Sequence, residues 1–195
     1  MTAELNKYTY EEIEAFGKKI HDVMLEARKT GQYVVANEAI LDDNVVYEWA
    51  LGPTLPAYVA NGKDAVMRNA LGAEMAGVDG WKYPWGDYWV DPEKGVLIYN
   101  WKMISPWERS DGTFYAANGY GYSFHTYAGN GRTKHKTDIC ESQMLQYCHA
   151  EGVAGGFANE AMREKVKMRR TRETMALENW IEHLEELREE YGYKE

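Results

Sequence analysis

Near the amino terminus the hydrophobic positions recur at three- and four-residue steps. Between Tyr10 and about Lys29 the residues Ile13, Phe16, Ile20, Val23, Met24 and Ala27 repeat in this way, which predicts an amphipathic helix with one buried stripe. Thr9, followed three residues later by Glu12, makes a capping box at its start, and Gly31 ends it. A second, shorter helix is expected over Tyr33 to Leu41. The period then changes to two. Residues 45–51 read as a strand, a loop surrounds Pro53 and Pro56, and Ala57 to Asn61 forms a short extended piece. Gly62 opens a third helix whose apolar face carries Val66, Met67, Ala70, Leu71 and Met75.

Four longer segments follow: WKYPWGDYWV, GVLIYNWKMISPW, TFYAANGYGYSFHTYA and RTKHKTDICESQ, separated by DPEKG, ERSDG and GNG. Aromatic and β-branched runs between such turn sequences predict an antiparallel meander. Helices followed by strands describe an α+β fold, a curved antiparallel sheet with the N-terminal helices on one face. If Asn130 and Gly131 form a two-residue turn, Tyr127 stands opposite Lys134, His125 opposite Lys136 and Ser123 opposite Asp138. Ser123, His125, Lys136 and Asp138 then share one face, where a histidine diagonal to an aspartate can be held in one tautomer. Within the first strand, Val46, Glu48 and Ala50 alternate with Val45, Tyr47, Trp49 and Leu51. A carboxylate turned into an apolar interior loses hydration, and its pKa rises toward the range useful for acid/base work.

With 195 residues, 45% hydrophobic and 13% aromatic, the chain suits one sizeable core. The last part is different in kind. Leu177, Trp180, Ile181, Leu184, Leu187 and Tyr191 form a helical stripe among many charges. The expected division is a domain over residues 1–152 and a charged helical tail over residues 153–195. A net charge of −9, with KVKMRRTR as one short basic run, argues against a nucleic-acid partner. No apolar run approaches the ~20 residues of a bilayer crossing and no leader-like segment is present, so a cytoplasmic protein without a membrane partner is expected. Cys140 and Cys148 make no CxxC pair, and the histidines show neither HxH nor HExxH spacing. Reduced thiols and no metal are expected. Gly-rich phosphate loops and GxSxG are absent as well, so no cofactor is expected.

The order of elements resembles a known superfamily. A long helix, a short helix running into LDDNVVYEW, a helix opened by NGKDAV and a four-stranded meander, together spanning Tyr8 to Ala150, are similar to the nuclear transport factor 2-like proteins. These include SnoaL-like polyketide cyclases, ketosteroid isomerases, limonene epoxide hydrolase and scytalone dehydratase. The resemblance implies a cone-shaped α+β barrel around one apolar pocket. Resemblance to the isomerases places a general base on Glu48, while their helix tyrosine falls on Met24 and their protonated strand aspartate near Ser123, so that oxyanion hole is missing. Resemblance to the cyclases implies roles for His125 and Asp138. The Trp- and Tyr-rich cone with its tail also resembles sphingomonad enzymes that remove formaldehyde from lignin-derived diarylpropanes.

These readings lead to a cofactor-independent lyase acting on an aromatic small molecule. Glu48, His125 and Asp138 are the expected catalytic groups. Tyr47, Tyr99, Trp101, Lys102, Ser123 and Lys136 are expected to bind substrate, with His21 and Arg28 at the cavity mouth, and the chain is expected to form a dimer or trimer. His135, His149 and His183 fit no shared face and are expected at the surface. The alternative is a non-catalytic ligand-binding or assembly subunit of the same fold, whose interior side chains would fill.

Overall fold

A computed structural model describes residues 8–30, 32–50, 58–73, 75, 77, 78 and 80–164. Helix α1 (Tyr10–Thr30) starts at the capping box read from the sequence: the Glu12 N–H donates to Thr9 Oγ1 at 3.2 Å. Helix α2 (Tyr33–Ile40) leads directly into strand β1 (Leu41–Ala50), and β2 (Tyr58–Asn61) follows. Helix α3 (Lys63–Ala65) continues as a wide π-helical stretch, Val66–Ala73. The meander is β3 (Trp85–Asp91), β4 (Val96–Glu108), β5 (Phe114–Gly129) and β6 (Arg132–Ile139), and α4 (Ser142–Ala154) closes the series.

The strands form one curved, open sheet in the order β2-β1-β6-β5-β4-β3. Four of its five pairings are antiparallel, but β1 and β6 run parallel, so the sheet is mixed rather than antiparallel throughout. Side chains alternate with period two in both kinds of strand, so the pattern carried no sign of strand direction. Strand β1 also begins earlier than expected. Asp42 to Asn44 lie inside it, where the register shifts between Leu41 and Val46 and the Asn44 N–H donates to Asp42 Oδ1 at 3.0 Å.

The β5–β6 hairpin turns on Asn130 and Gly131, both at positive φ (53° and 71°), as an Asn-Gly two-residue turn requires. Its register pairs Ser123 with Asp138 and His125 with Lys136, as the sequence predicts. Nearer the turn a shift sets Tyr127 opposite Thr133 rather than Lys134.

Helix α1 buries Ile13, Phe16, Ile20, Met24 and Ala27 against Leu97, Tyr99 and Tyr127 of the sheet. A second cluster joins Trp81, Met103 and Trp107 to Leu145 and Cys148 of α4, and to Ala158 and Met162, which lie beyond the expected domain boundary. A third packs Val66, Ala70 and Leu71 against Leu41, Val45 and Tyr47. The stripe from Leu177 to Tyr191 lies outside the described residues. No helix among the described residues is long and apolar enough to cross a membrane.

Gly17 sets how closely α1 sits. A Cβ there would lie 2.9 Å from Leu97 Cδ1 and 3.3 Å from Tyr88 Cε2, and the Tyr99 hydroxyl donates to the Gly17 carbonyl. Gly17→Val should therefore destabilise the fold by about 1–3 kcal/mol, the usual scale of overpacking. Urea denaturation checks this, and an unchanged midpoint would contradict the close seat.

Candidate active site

Between the helices and the concave face of the sheet lies a cavity of about 160 Å³. An engineered cavity of about 150 Å³ admits benzene, so the enclosed part suits roughly one aromatic ring. Met24, Leu71, Met75, Trp85 and Met103 make much of its wall apolar, and Leu145 and His149 of α4 complete it.

One end is polar, and three strands build it. Asp138 on β6 accepts from the Ser123 hydroxyl of β5 at 2.6 Å through Oδ1, and from the Tyr47 hydroxyl of β1 through Oδ2. Lys136, one side-chain step along β6, brings Nζ to 3.1 Å from Asp138 Oδ2. The parallel β1–β6 register sets Tyr47 beside Lys136 and Trp49 beside Asp138, and the Lys136 ammonium rests 4.6 Å from the Tyr47 ring centroid. Asn37 of α2 fixes the other side of the lysine. Its amide donates to the Tyr33 carbonyl at 2.8 Å, which turns Oδ1 toward Lys136 Nζ at 3.3 Å. The Trp101 indole N–H donates to Ser123 Oγ at 2.8 Å. Burial, and then the Asp138 charge, push the Tyr47 hydroxyl well above the ordinary tyrosine range, so it stays a donor.

The lysine side chain is 6% exposed and the aspartate 15%. An ammonium has three protons, and two of those of Lys136 are met by Asp138 and Asn37. The third has no oxygen acceptor among the described residues. Among the described residues no group of three or more His, Cys, Asp or Glu side chains is arranged to hold a metal ion.

Five of the expected site residues, Tyr47, Trp101, Ser123, Lys136 and Asp138, line this cavity. Glu48 does not. Tyr47 and Trp49 turn inward, and strand alternation sends Glu48 to the other face of the sheet. There it accepts from Thr137 Oγ1 at 2.9 Å and lies 3.2 Å from His135 Nε2. Lys102 is likewise outside the cavity lining, as are His21 and Arg28 of α1, both only partly buried. Tyr99 is fully buried, committed to Gly17 and packed against Trp85 and Tyr88.

His125 shares the face that the hairpin register predicted, but it lies in the packed core rather than on the cavity wall. It is 0% exposed, shares a 3.1 Å hydrogen bond with Thr133 Oγ1 through Nδ1, and meets the Tyr99 ring edge-on. Its partner is Thr133 and not Asp138.

Asn37, Tyr83 and His149 line the cavity although the sequence did not mark them as site residues. Asn37 is a polar residue on the buried side of α2, beside Ala36 and Ile40, which was a legible signal. Tyr83 is one tyrosine among many. His149, expected at the surface, is 1% exposed and stands edge-on to Trp81 with ring centroids 5.2 Å apart. Cys140 lines the cavity too, whereas burial pushes the Cys148 thiol up to about 11, which rules it out as a nucleophile at neutral pH.

Burial, reinforced by the Lys136 charge, holds the His125 imidazole well below its ordinary pKa. The unfolded chain therefore takes up a proton here that the folded chain refuses. The stability from keeping the ring neutral is fully present above about pH 6.5 and is lost at about 1.4 kcal/mol per pH unit below it. Urea denaturation between pH 7 and pH 5 should show this extra slope in the natural chain and its loss in His125→Gln. Equal slopes would contradict a buried neutral imidazole.

No protein-family model matches this sequence, and no curated protein matches it. Solved structures do resemble it. A phenazine biosynthesis-related protein from Pseudomonas aeruginosa superposes with a TM-score of 0.53 at 11% identity, covering 72% of this chain and 90% of that one. A proposed isomerase from Bacillus subtilis gives 0.53 at 14% identity, covering 71% and 95%. An NTF2-like protein of unknown function from Burkholderia pseudomallei gives 0.51 at 10% identity, covering 68% and 95%. Likeness at these identities speaks to backbone architecture, and it shows that this chain has the cone-shaped α+β fold of the NTF2-like proteins.

Proposed function

We propose that the chain is a cofactor-independent enzyme that moves protons on an aromatic small molecule, and that its reaction is an elimination of the lyase class. One observation carries the reading: Asp138, Lys136, Tyr47 and Ser123 converge on one end of a cavity that is otherwise apolar and unfilled by side chains. An assembly subunit would fill that space. The phenazine-biosynthesis and isomerase descriptions of two structural neighbours also favour small-molecule chemistry.

The residues divide the work by their chemistry. Lys136 offers its third proton to a substrate oxygen and stabilises negative charge as it develops there, in a site with little water to compete. Asp138 is the proton acceptor, since Oδ1 is met by Ser123 alone and keeps a free lone pair. Tyr47 and Ser123 hold the carboxylate in place, and Asn37 holds the lysine. Trp49, Trp85 and Trp101 supply flat apolar surface for a ring.

The substrate class favoured here is a phenolic benzylic alcohol, such as a diarylpropane that seats one of its two rings in the enclosed part of the cavity. Asp138 takes the phenolic proton, the benzylic C–O bond breaks, and the hydroxide leaves with that proton as water, giving a quinone methide. Where a terminal carbinol is present, loss of its hydroxyl proton lets the adjacent C–C bond break. Formaldehyde departs, and the electron pair restores the aromatic ring as a stilbene phenolate, which is then reprotonated. Without the carbinol the reaction stops at dehydration.

Incubation of the purified protein with phenolic diarylpropanes, followed by ultraviolet absorbance and formaldehyde release, tests this. Asp138→Asn and Lys136→Met should each lower turnover at least ~100-fold, the scale of general acid/base removal. Glu48→Gln, whose carboxylate faces away from the cavity, should leave turnover unchanged. Full activity in both the Asp138 and Lys136 variants would defeat the assignment.

A further inference from the structure

The three apolar clusters of the core all draw on the inward residues of the sheet, such as Ala60, Tyr47, Tyr127 and Leu97. The outward residues form a second surface. Strand registers carry one outward row across the whole sheet, from Val59 on β2 through Glu48, Thr137, Phe124 and Ile98 to Trp89 on β3. A parallel row on one side joins Ala50, Ile139, Tyr122 and Asn100, and one on the other side joins Val46, His135, Thr126 and Val96. None of these residues belongs to any of the three clusters. Trp89 is 50% exposed, Val59 48%, Ile139 40% and Tyr122 37%, so large apolar side chains from both edges and the middle of the sheet meet water.

The size of this face indicates what covers it. Six strands about 4.8 Å apart, with outward side chains about 7 Å apart along each, make three rows with an area on the order of 600 Å². That approaches the ~800 Å² that each partner gives to a standard interface. A lone helix is about 10 Å across and would leave more than half of the sheet's width open. A second sheet instead packs face to face over several strands at once, interleaving its own outward side chains.

The ionisable groups within these rows suit a partner of the same kind. Glu48 lies 3.2 Å from His135 Nε2 and accepts from Thr137 Oγ1 at 2.9 Å. An isologous interface sets a patch against itself, so the patch must complement itself. A carboxylate and an imidazole side by side among apolar neighbours do so, because each finds its opposite on the other copy.

We propose that two copies of the chain associate through this outward face, sheet against sheet about a two-fold axis, with Phe124 and Ile98 at the centre and Trp89, Tyr122 and Ile139 around them. The inference does not depend on the reaction, because the face lies on the side of the sheet away from the cavity.

Sedimentation equilibrium from about 1 to 100 μM, the range in which an interface of this size associates at its weakest, should give the mass of two chains at the upper end. Trp89→Lys and Tyr122→Lys should each raise the dissociation constant at least ~30-fold, the scale of an interface aromatic, while keeping a cooperative urea transition. Hydroxyl-radical oxidation of the natural chain, read by mass spectrometry, needs no variant. As concentration rises, Trp89 and Tyr122 should lose reactivity, whereas Tyr147 and Phe157, exposed elsewhere on the molecule, should keep theirs.

A mass that stays at one chain, or settles at three, would overturn the assignment. So would association that leaves Trp89 and Tyr122 reactive, which would place the interface on another surface. Low reactivity of both at every concentration would show that a further segment of the same chain covers the face, and association retained by both lysine variants would equally defeat it.

Discussion

The ion pair between Lys136 and Asp138 constrains everything around it. Each charge gives up several kcal/mol of hydration in such a setting, and their mutual attraction offsets that loss only where further hydrogen bonds complete the shell. Here Tyr47, Ser123 and Asn37 supply most of it, from β1, β5 and α2 respectively. An apolar pair of the same volume would be about as stable. Stability therefore gives no reason to keep two charges beside Trp49 and Met103, whereas the proposed proton transfer does. The fold tolerates the pair because Tyr47, Ser123 and Asn37 meet most, though not all, of its hydrogen-bonding groups.

The parallel pairing of β1 with β6 makes that shell possible. It sets Tyr47 beside Lys136 and Trp49 beside Asp138, so β1 contributes one hydroxyl and one aromatic wall to a site founded on the β5–β6 hairpin. The same period of two turns Glu48 away, onto Thr137 and His135 of the opposite face. Inward tyrosine and inward glutamate are alternatives at adjacent positions, and helix packing decides between them. Val45 and Tyr47 join Val66, Ala70 and Leu71 in one apolar cluster, and that cluster fixes the inward set.

Much of this was legible in the sequence where local chemistry dictated it. The Thr9–Glu12 cap, the apolar stripe of α1 and the Asn130-Gly131 turn each have a mechanism acting within a few residues, and the turn alone placed Ser123, His125, Lys136 and Asp138 on one face. Depth within that face was not legible. His125 sits in the core against Tyr99 while its neighbours border the cavity, because α1 is seated through Gly17 on Leu97, the strand partner of His125. Strand direction was hidden too, since alternation is the same in parallel and antiparallel pairs. His149, expected at the surface, is buried because α4 packs against Trp81 and Trp107 through contacts far apart in the chain.

The central claim is that the cavity's polar end holds a substrate oxygen in its negatively charged form through Lys136. A bound chromogenic phenol reports this directly, because its absorbance distinguishes phenol from phenolate. With 4-nitrophenol bound in the natural chain, the titration midpoint should lie below that of the free dye, and Lys136→Met should raise it above. A midpoint in the natural chain at or above the free dye's would show that desolvation outweighs the lysine, and would contradict the account.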